Sequence, residues 1–404
     1  MIDSKKDRIS SVIGIVGISV VGMIVILCSN GLTLTGITAF DETLLEEFGW
    51  SKSELKFRDT LNLVIASILA PFVGLVIDRF GVKNTMLTGL ALLSLLVFSY
   101  SYVHSLMHIY IIHSVFAVAI SMAGTLAVVI MVTQRITKMR GTALGIALSG
   151  TSAGGIVLAP LATYLVREYD WRSAFKLEAI LPLLAIMLVF LFVKNIKYSK
   201  ENKSEEETGL TEISFSTALK STPFWLIAIA GFFCFYTILG IIGNLFLYLR
   251  EMGYSPEVTS SIFGTFFFII LCAKFASGFL TDYINKYLLF KIQLIMMLVG
   301  TICFSLNTPT FAWPAIVLTG LGWGGLYTLF NYIIITTFGV KNAGKINGVI
   351  STFEGIGSGL GIWLTALISD KTGDYSASFW LMVAFLASAF ICSFFIKPVA
   401  EHAN

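Results

Sequence analysis

The sequence predicts an all-α membrane protein with twelve transmembrane helices in two pseudo-symmetric six-helix halves. Three observations lead to this fold class. The 404 residues are 56% hydrophobic and only 13% charged, whereas soluble domains carry about 25% charged residues. Twelve apolar runs are long enough to cross a bilayer. Several short motifs also recur at an offset of half the chain.

The composition excludes several classes of function. The net charge is +3 and no basic block contains interleaved aromatic residues, so we expect no nucleic-acid partner. The five cysteines lie inside apolar runs without CxxC or Cys/His spacing, which indicates small apolar side chains and no metal site. No phosphate-binding loop and no intramembrane Ser/His or His/Asp cluster occurs, so we expect neither an enzyme nor a cofactor.

The apolar runs set the predicted spans, because about 20 apolar residues cross the hydrocarbon core. They lie near 10–39, 54–77, 84–104, 107–133, 142–166, 172–193, 223–249, 257–281, 288–306, 310–337, 345–369 and 376–396. One long hydrophilic segment, 195–220, separates a first half, 1–194, from a second half, 221–404.

The distribution of Lys and Arg predicts the orientation. With the N-terminus in the cytoplasm, 18 of the 27 Lys and Arg residues fall on the cytoplasmic side. We therefore expect both termini and the central linker in the cytoplasm. The short loops and the lack of organelle-targeting signals favour a bacterial inner membrane.

An internal repeat relates the two halves. Gly49-Trp50-Ser51 recurs as Gly253-Tyr254-Ser255, 204 positions later, and Gly74 and Asp78 recur at the same offset as Gly278 and Asp282. The segment 170–175 recurs at 374–379, again 204 positions on. Two parallel six-helix repeats joined by a linker are typical of one large class of transporters.

The segment 74–83, with the sequence GLVIDRFGVK, resembles the motif G-x-L-A-D-R-x-G-R-K between helices 2 and 3 of the major facilitator superfamily. Val82 departs from this motif where the family has a base. The resemblance implies gating of the inner side by Gly74, Asp78, Arg79, Gly81, Lys83, Arg140 and Asp282. Within the superfamily the chain is most similar to the monocarboxylate and oxalate/formate porters, through segments 48–55, 140–141 and 170–175 and through Lys274 and Gly278.

Lys274 and Glu354 are the leading candidates for substrate binding, because charges inside a membrane are costly and mark functional sites. Lys274 lies about 12 Å from the inner end of helix 8 and Glu354 about 15 Å from that of helix 11. The resemblance implies that a cation at Lys274 binds a substrate carboxylate. Glu354 is then its counter-ion or a proton carrier. The alternative is a permanent structural ion pair.

Four further residues complete the candidate set. Asn331 and Tyr236 lie at middle depth and are candidates for hydrogen bonds to substrate, or for bonds between helices. Arg58 and Asp59, near the predicted outer surface, suggest an outer gate, or else interfacial side chains that reach out to water. Proton coupling would rest on Glu354 or Asp59.

Together these features predict a monomeric secondary transporter that moves a small organic anion, most simply a monocarboxylate, by rocker-switch alternating access, with symport of H⁺ as one mode. Two other transport functions stay open. One is the carriage of a zwitterion such as an amino acid, and the other is efflux of a larger amphipathic solute through a pocket lined by some of the 33 Phe and 14 Tyr residues.

Overall fold

A computed structural model describes residues 2–136, 139–193, 214–339 and 343–396, with side-chain surroundings given from Gly14 onward. Within these ranges the chain is helical and contains no strand. The predicted linker, 195–220, lies outside the described residues except for its last seven, which include the short helix Phe215–Lys220.

Twelve long helices follow one another in the described ranges, which confirms the predicted fold class. Ten are long and apolar enough to cross a membrane. The other two have 30 residues each and are about 45 Å long at 1.5 Å per residue. The helices are α1 (Gly14–Phe48), α2 (Lys52–Phe80), α3 (Val82–Tyr100), α4 (Leu106–Thr133), α5 (Arg140–Glu168), α6 (Trp171–Phe192), α7 (Thr222–Glu251), α8 (Pro256–Leu280), α9 (Lys286–Ser305), α10 (Pro309–Phe338), α11 (Ala343–Thr372) and α12 (Ser376–Ser393).

Four helices of the first half are interrupted, a feature that the apolar runs did not predict. Helix α1, which ends nine residues later than expected, contains a π-helical stretch, Leu27–Thr35, and a 3₁₀ turn, Ile37–Phe40. Helix α4 is broken at Gly124, α5 at Ser149 and α6 at Ala179. Each break frees backbone groups from the helical hydrogen-bond ladder, and such sites within a membrane occur where the chain is buried in protein or lines a cavity.

The structure separates into two compact units. The first comprises Met1–Leu44 and Leu69–Glu201, and the second comprises Leu45–Ile68 and Asn202–Asn404. Helix α2 therefore contributes its first half to the second unit and its second half to the first. The division into halves 1–194 and 221–404 rests on the sequence repeat and stays a prediction.

Glycines bring helices together in the first unit. A Cβ on Gly154 of α5 would lie 2.8 Å from the Cα of Gly31 in α1, and one on Gly89 of α3 would lie 2.9 Å from the carbonyl oxygen of Ala119 in α4. These separations leave room for hydrogen only, so the two helix backbones meet directly, as is common between membrane helices.

In the second unit, α11 is held between α7 and the first half of α2. A Cβ on Gly357 of α11 would lie 2.6 Å from the carbonyl oxygen of Phe232 in α7. On the α2 side, Thr60 Oγ1 donates a hydrogen bond of 2.6 Å to the carbonyl of Gly359. Helix α11 therefore uses glycines on both of its packed faces, and this places Glu354, three residues before Gly357, beside α7.

Candidate functional site

Lys274 of α8 lies against an aromatic ring of α10. Its Nζ is 4.5 Å from the centroid of the Tyr327 ring, a cation–π distance. Thr328 Oγ1, next to Tyr327, is 3.5 Å from the carbonyl oxygen of Lys274. Helices α8 and α10 meet closely here because a Cβ on Gly324 would come within about 2.5 Å of Ala273. The ammonium group is therefore held over a ring in the interior of the unit.

Glu354 of α11 faces α7 at a glycine. A Cβ on Gly231 would lie 3.3 Å from Glu354 Cγ, 3.4 Å from its Oε1 and 3.7 Å from Phe330. Ser351, one turn earlier on α11, is hydrogen-bonded to the Glu354 carboxyl group. The acid thus occupies a space that exists because position 231 lacks a side chain.

Tyr327 connects the two charged residues. It carries Lys274 on its ring face, and it lies close enough to Glu354 to interact with it electrostatically. The ring thus contacts the ammonium group directly and is under the electrostatic influence of the carboxyl group. We call Lys274, Tyr327 and Glu354 the central triad.

Aromatic side chains from α7 and α10 surround the central triad. Trp323 contacts Tyr327 at 5.9 Å between ring centroids and meets Phe235 edge-on at 4.8 Å. Phe235 in turn lies 6.1 Å from Phe330, which, like Glu354, lies within 4 Å of a Cβ placed on Gly231. These rings give one side of the half-buried triad an apolar wall, and a charged ligand is attracted more strongly beside such a wall than in water.

The other two predicted substrate-binding residues take different positions. Asn331 is exposed and lies four residues after Tyr327, so it is on the same side of α10, one turn further on. Tyr236 is 2% exposed and packs edge-on against Phe385 of α12, 4.9 Å between ring centroids. The structure thus brings Asn331 to the side of the central triad and places Tyr236 in the aromatic packing between α7 and α12.

Arg58 and Asp59 are completely buried, with exposed fractions of 0% and 1%. Arg58 Nε lies 3.7 Å from Asp59 Oδ1. This burial argues against side chains that reach out to interfacial water, the alternative considered for them. Their helix segment packs along α11, where Thr60 bonds to Gly359 and the ring of Phe57 meets Trp363.

A polar cluster lies at the predicted outer end of the same helix pair. Lys52 forms an ion pair with Glu251, donates to Ser369 Oγ at 3.0 Å and lies over the ring of Tyr375. The Ser53 backbone N–H donates to Asp370 at 2.8 Å. In the sequence this stretch is recognisable only as a family motif. Its partners are not predictable from it, because they lie about 200 and 317 positions away.

The predicted inner-gate residues lie at helix ends. Asp78, Arg79, Arg140 and Asp282 are exposed, and Gly81 takes a φ of 80°, a left-handed conformation that suits glycine, between α2 and α3. A Cβ on Gly74 would meet no atom within 4 Å.

Two of the inner-gate cations bond to backbone carbonyls of the first unit. Lys83 Nζ donates to the carbonyl of Phe190 at 2.8 Å, and Arg140 donates to that of Thr133 at 2.8 Å. Both cations therefore lie at carboxyl ends of helices, where positive charge is favoured. Their role in gating stays a prediction.

Comparison with known proteins identifies the family. The profile of the Major Facilitator Superfamily matches residues 21–362. Monocarboxylate transporter 13 of Bos taurus is 25% identical over 342 residues, which cover 81% of this chain and 76% of the relative. The hexuronate transporter of Bacillus subtilis (strain 168) is 25% identical and covers 81% and 82% of the two chains. The oxalate:formate antiporter of Oxalobacter formigenes is 21% identical and covers 90% and 88%.

The fold agrees with a solved structure. A bacterial homologue of the human lysosomal transporter Spinster, in an inward-facing and occupied conformation, superposes with a TM-score of 0.75 over 95% of this chain and 97% of the other, at 15% identity. With ten helices among the described residues long and apolar enough to cross a membrane, and a superfamily profile that covers most of its length, the chain belongs to the Major Facilitator Superfamily and is a multi-pass membrane transporter rather than an enzyme.

Proposed function

We propose that the protein is a secondary transporter of small monocarboxylates, with the central triad as its substrate-binding site. One observation carries this proposal: the Lys274 ammonium lies over Tyr327, within a ring of aromatic side chains that also borders Glu354. A single cation of this kind offers charge-assisted hydrogen bonds to one carboxylate.

The names of the relatives support a carboxylate substrate. Monocarboxylates, hexuronates, oxalate and formate all carry carboxylate groups, and the three relatives are named for them. Because the triad has one cation and one acid, it suits a monoanion better than a dianion. A second carboxylate on the substrate would lie in the low-dielectric interior near Glu354 and would be repelled.

The proposed transport cycle is rocker-switch alternating access. We propose that the substrate binds the triad from one side, that the two six-helix halves rock, and that proton movement at Glu354 or Asp59 couples transport to the H⁺ gradient. On this proposal the inner gate comprises Gly74, Asp78, Arg79, Gly81, Lys83, Arg140 and Asp282, and the outer gate contains Arg58 and Asp59. The protein would act as a monomer in a bacterial inner membrane, with both termini in the cytoplasm.

A zwitterion is the second candidate substrate. Because Lys274 and Glu354 both approach Tyr327, the pair could bind the carboxylate and the ammonium of an amino acid at once. An amino acid would then require both charges, whereas a monocarboxylate requires the cation alone.

The test is thermal stabilisation of the purified protein by acetate, lactate, pyruvate and a panel of amino acids. A ligand at 100 times its dissociation constant stabilises the native state by about 2.7 kcal/mol. We expect lactate or pyruvate to raise the melting temperature of the wild type and of Lys291→Ala, and to have no effect on Lys274→Ala. Lys291 is the matched control because its Nζ also lies over an aromatic ring, Phe394, at 4.3 Å.

The amino acids separate the two candidates. Stabilisation by an amino acid that is lost in both Lys274→Ala and Glu354→Gln would replace the monocarboxylate with a zwitterion. An equal response of Lys274→Ala and wild type to every small acid would refute the proposed site.

A further inference from the structure

Glu178 of α6 is a buried acid that the proposed transport site does not use. Its side chain is 2% exposed, and its Oε1 has no hydrogen-bond partner among the described residues. It lies seven residues, or about 10 Å, from the start of α6 at Trp171, well inside the span. A buried acid within a membrane helix is rare and marks a functional site.

The helix is interrupted where this acid lies. The first part of α6 ends at Glu178 and the second begins at Ile180. Pro182 occupies the position whose N–H would otherwise bond to the Glu178 carbonyl, so proline removes that donor. The next carbonyl, that of Ala179, accepts a hydrogen bond of 2.7 Å from Ser94 of α3. The carboxyl group of Glu178, the carbonyl of Glu178 that lacks its helical donor, and the hydroxyl group of Ser94 therefore all lie at the interruption of α6.

The elements packed against this part of α6 bring no opposite charge to Glu178. On α3 the ionisable groups are Lys83, eleven residues before Ser94, and Tyr100, which bonds to His113. Those on α5 are Arg140 at its start, the pair Arg167 and Glu168 at its end, next to the start of α6, and the half-exposed Tyr164.

Among the described residues, the remaining charged neighbours are the buried acid Asp41, which follows the 3₁₀ turn of α1, and the exposed Lys176 of α6 itself. Residues 180–192 contain no charged residue, and the 3₁₀ turn of α1 contributes Phe40, stacked on Phe175 at 4.1 Å. An ionised carboxylate would therefore be buried without compensation, which is costly in a medium of low dielectric constant. Burial of this kind favours the neutral, protonated form of the acid.

A purely structural role explains this arrangement poorly. Leaving a buried polar group without a partner costs about 1–3 kcal/mol, and an apolar side chain of the same shape would avoid that cost. Residues that break local rules of stability are expected at functional sites.

From this geometry we propose that Glu178 is a further proton-binding site, in the first unit, which takes up and releases a proton at the interruption of α6 in addition to the proton movement proposed at Glu354 or Asp59. The inference deepens the proposed proton-coupled transport and rests on it for its role in the cycle. The carboxyl group holds the proton in the conformation described. It releases the proton when movement of the broken helix gives the carboxylate access to water or to a cation.

The first experiment needs no substrate. Infrared spectra of the full-length protein in liposomes are recorded between pH 5 and pH 10 for wild type, Glu178→Gln and, as a matched control, Glu354→Gln. We expect a protonated-carboxyl band that is absent only in Glu178→Gln and that disappears reversibly as the pH rises. A band that persists unchanged up to pH 10, or no band assignable to Glu178, would show a structural acid and overturn the proposal.

The second experiment measures lactate uptake into proteoliposomes, once driven by a pH gradient and once as exchange against internal lactate without a gradient. We expect Glu178→Gln to lose gradient-driven accumulation at least tenfold while exchange stays within about twofold of wild type, since glutamine keeps the shape but cannot release a proton. Gradient-driven uptake equal to wild type in this variant would overturn the coupling role. Failure of lactate uptake in the wild type would count against the monocarboxylate proposal alone, because the infrared titration decides the proton site independently.

Discussion

Replacing Gly357 with alanine tests whether α11 depends on direct backbone contact with α7. A Cβ at this position would lie 2.6 Å from the carbonyl oxygen of Phe232 and 3.2 Å from its carbonyl carbon and Cα. Because these atoms belong to a helix backbone, they cannot rotate away as a side chain does. The helices must separate by several tenths of an ångström, and overpacking of this kind costs about 1–3 kcal/mol.

The same substitution on the same helix supplies the control. A Cβ on Gly348 would meet no atom within 4 Å. Gly348→Ala therefore introduces no clash, and alanine favours the helix by up to about 1 kcal/mol. The two variants differ by one methyl group from wild type and are expected to shift stability in opposite directions.

The assay is thermal unfolding of purified protein in detergent. Unfolding is detected by the reaction of a thiol-specific dye with Cys28 and Cys234, which are buried in the folded state. We expect Gly357→Ala to melt several degrees below wild type and Gly348→Ala to melt at or slightly above it. Equal melting temperatures for the two variants would refute the argument that the α7–α11 contact is limited by glycine.

Substitutions at three further positions have defined outcomes. Tyr327→Phe should keep the ring under Lys274 and bind lactate with an affinity within about twofold of wild type. Tyr327→Leu should lose about 0.5–2 kcal/mol of binding free energy. Equal binding of lactate by both variants in the thermal-shift assay would argue against a role for the ring. Glu251→Gln should destabilise by less than about 1 kcal/mol, and 1 M NaCl should remove the difference, because its ion pair with Lys52 is partly exposed. Asp170→Ala should remove the side-chain cap at the start of α6 and lower the free energy of unfolding by about 1 kcal/mol. Hydrogen bonds from Ser173 lower the pKa of Asp170. Wild type should therefore melt above Asp170→Ala at pH values above the ordinary carboxyl pKa, and this difference should disappear as the pH falls through the lowered pKa of Asp170.

The twelve spans were predictable because apolar length is a local property of the sequence. Ends were less predictable: α1 continues nine residues beyond the expected end at Ala39, through buried residues such as Phe40 and Leu44. The interruptions were not predictable from hydropathy. Pro182 indicates the break in α6 from the sequence alone. Ser149 does not indicate the break in α5, where Gly150 makes a close contact with α1.

The candidate site was predictable in part. Charges at Lys274 and Glu354 are conspicuous in apolar helices, and the structure brings both to Tyr327. The space for the acid depends on Gly231, and nothing local in α7 distinguishes this glycine from its neighbours Gly240 and Gly243. Counting residues placed Tyr236 near the middle of α7, but the direction of its side chain, toward Phe385, depends on how the helices are rotated.

The division of α2 between the two units has a consequence for how the chain is made. Thr60 and Gly359 are 299 positions apart, yet they are hydrogen-bonded within one unit. During synthesis the first half of α2 is made long before α11, so the two cannot pack together until most of α11 has been translated. The second unit is therefore completed only near the end of translation. A fragment that begins at residue 221 would lack the segment that covers Gly359. Two separately expressed halves would therefore have to assemble before the second could finish folding.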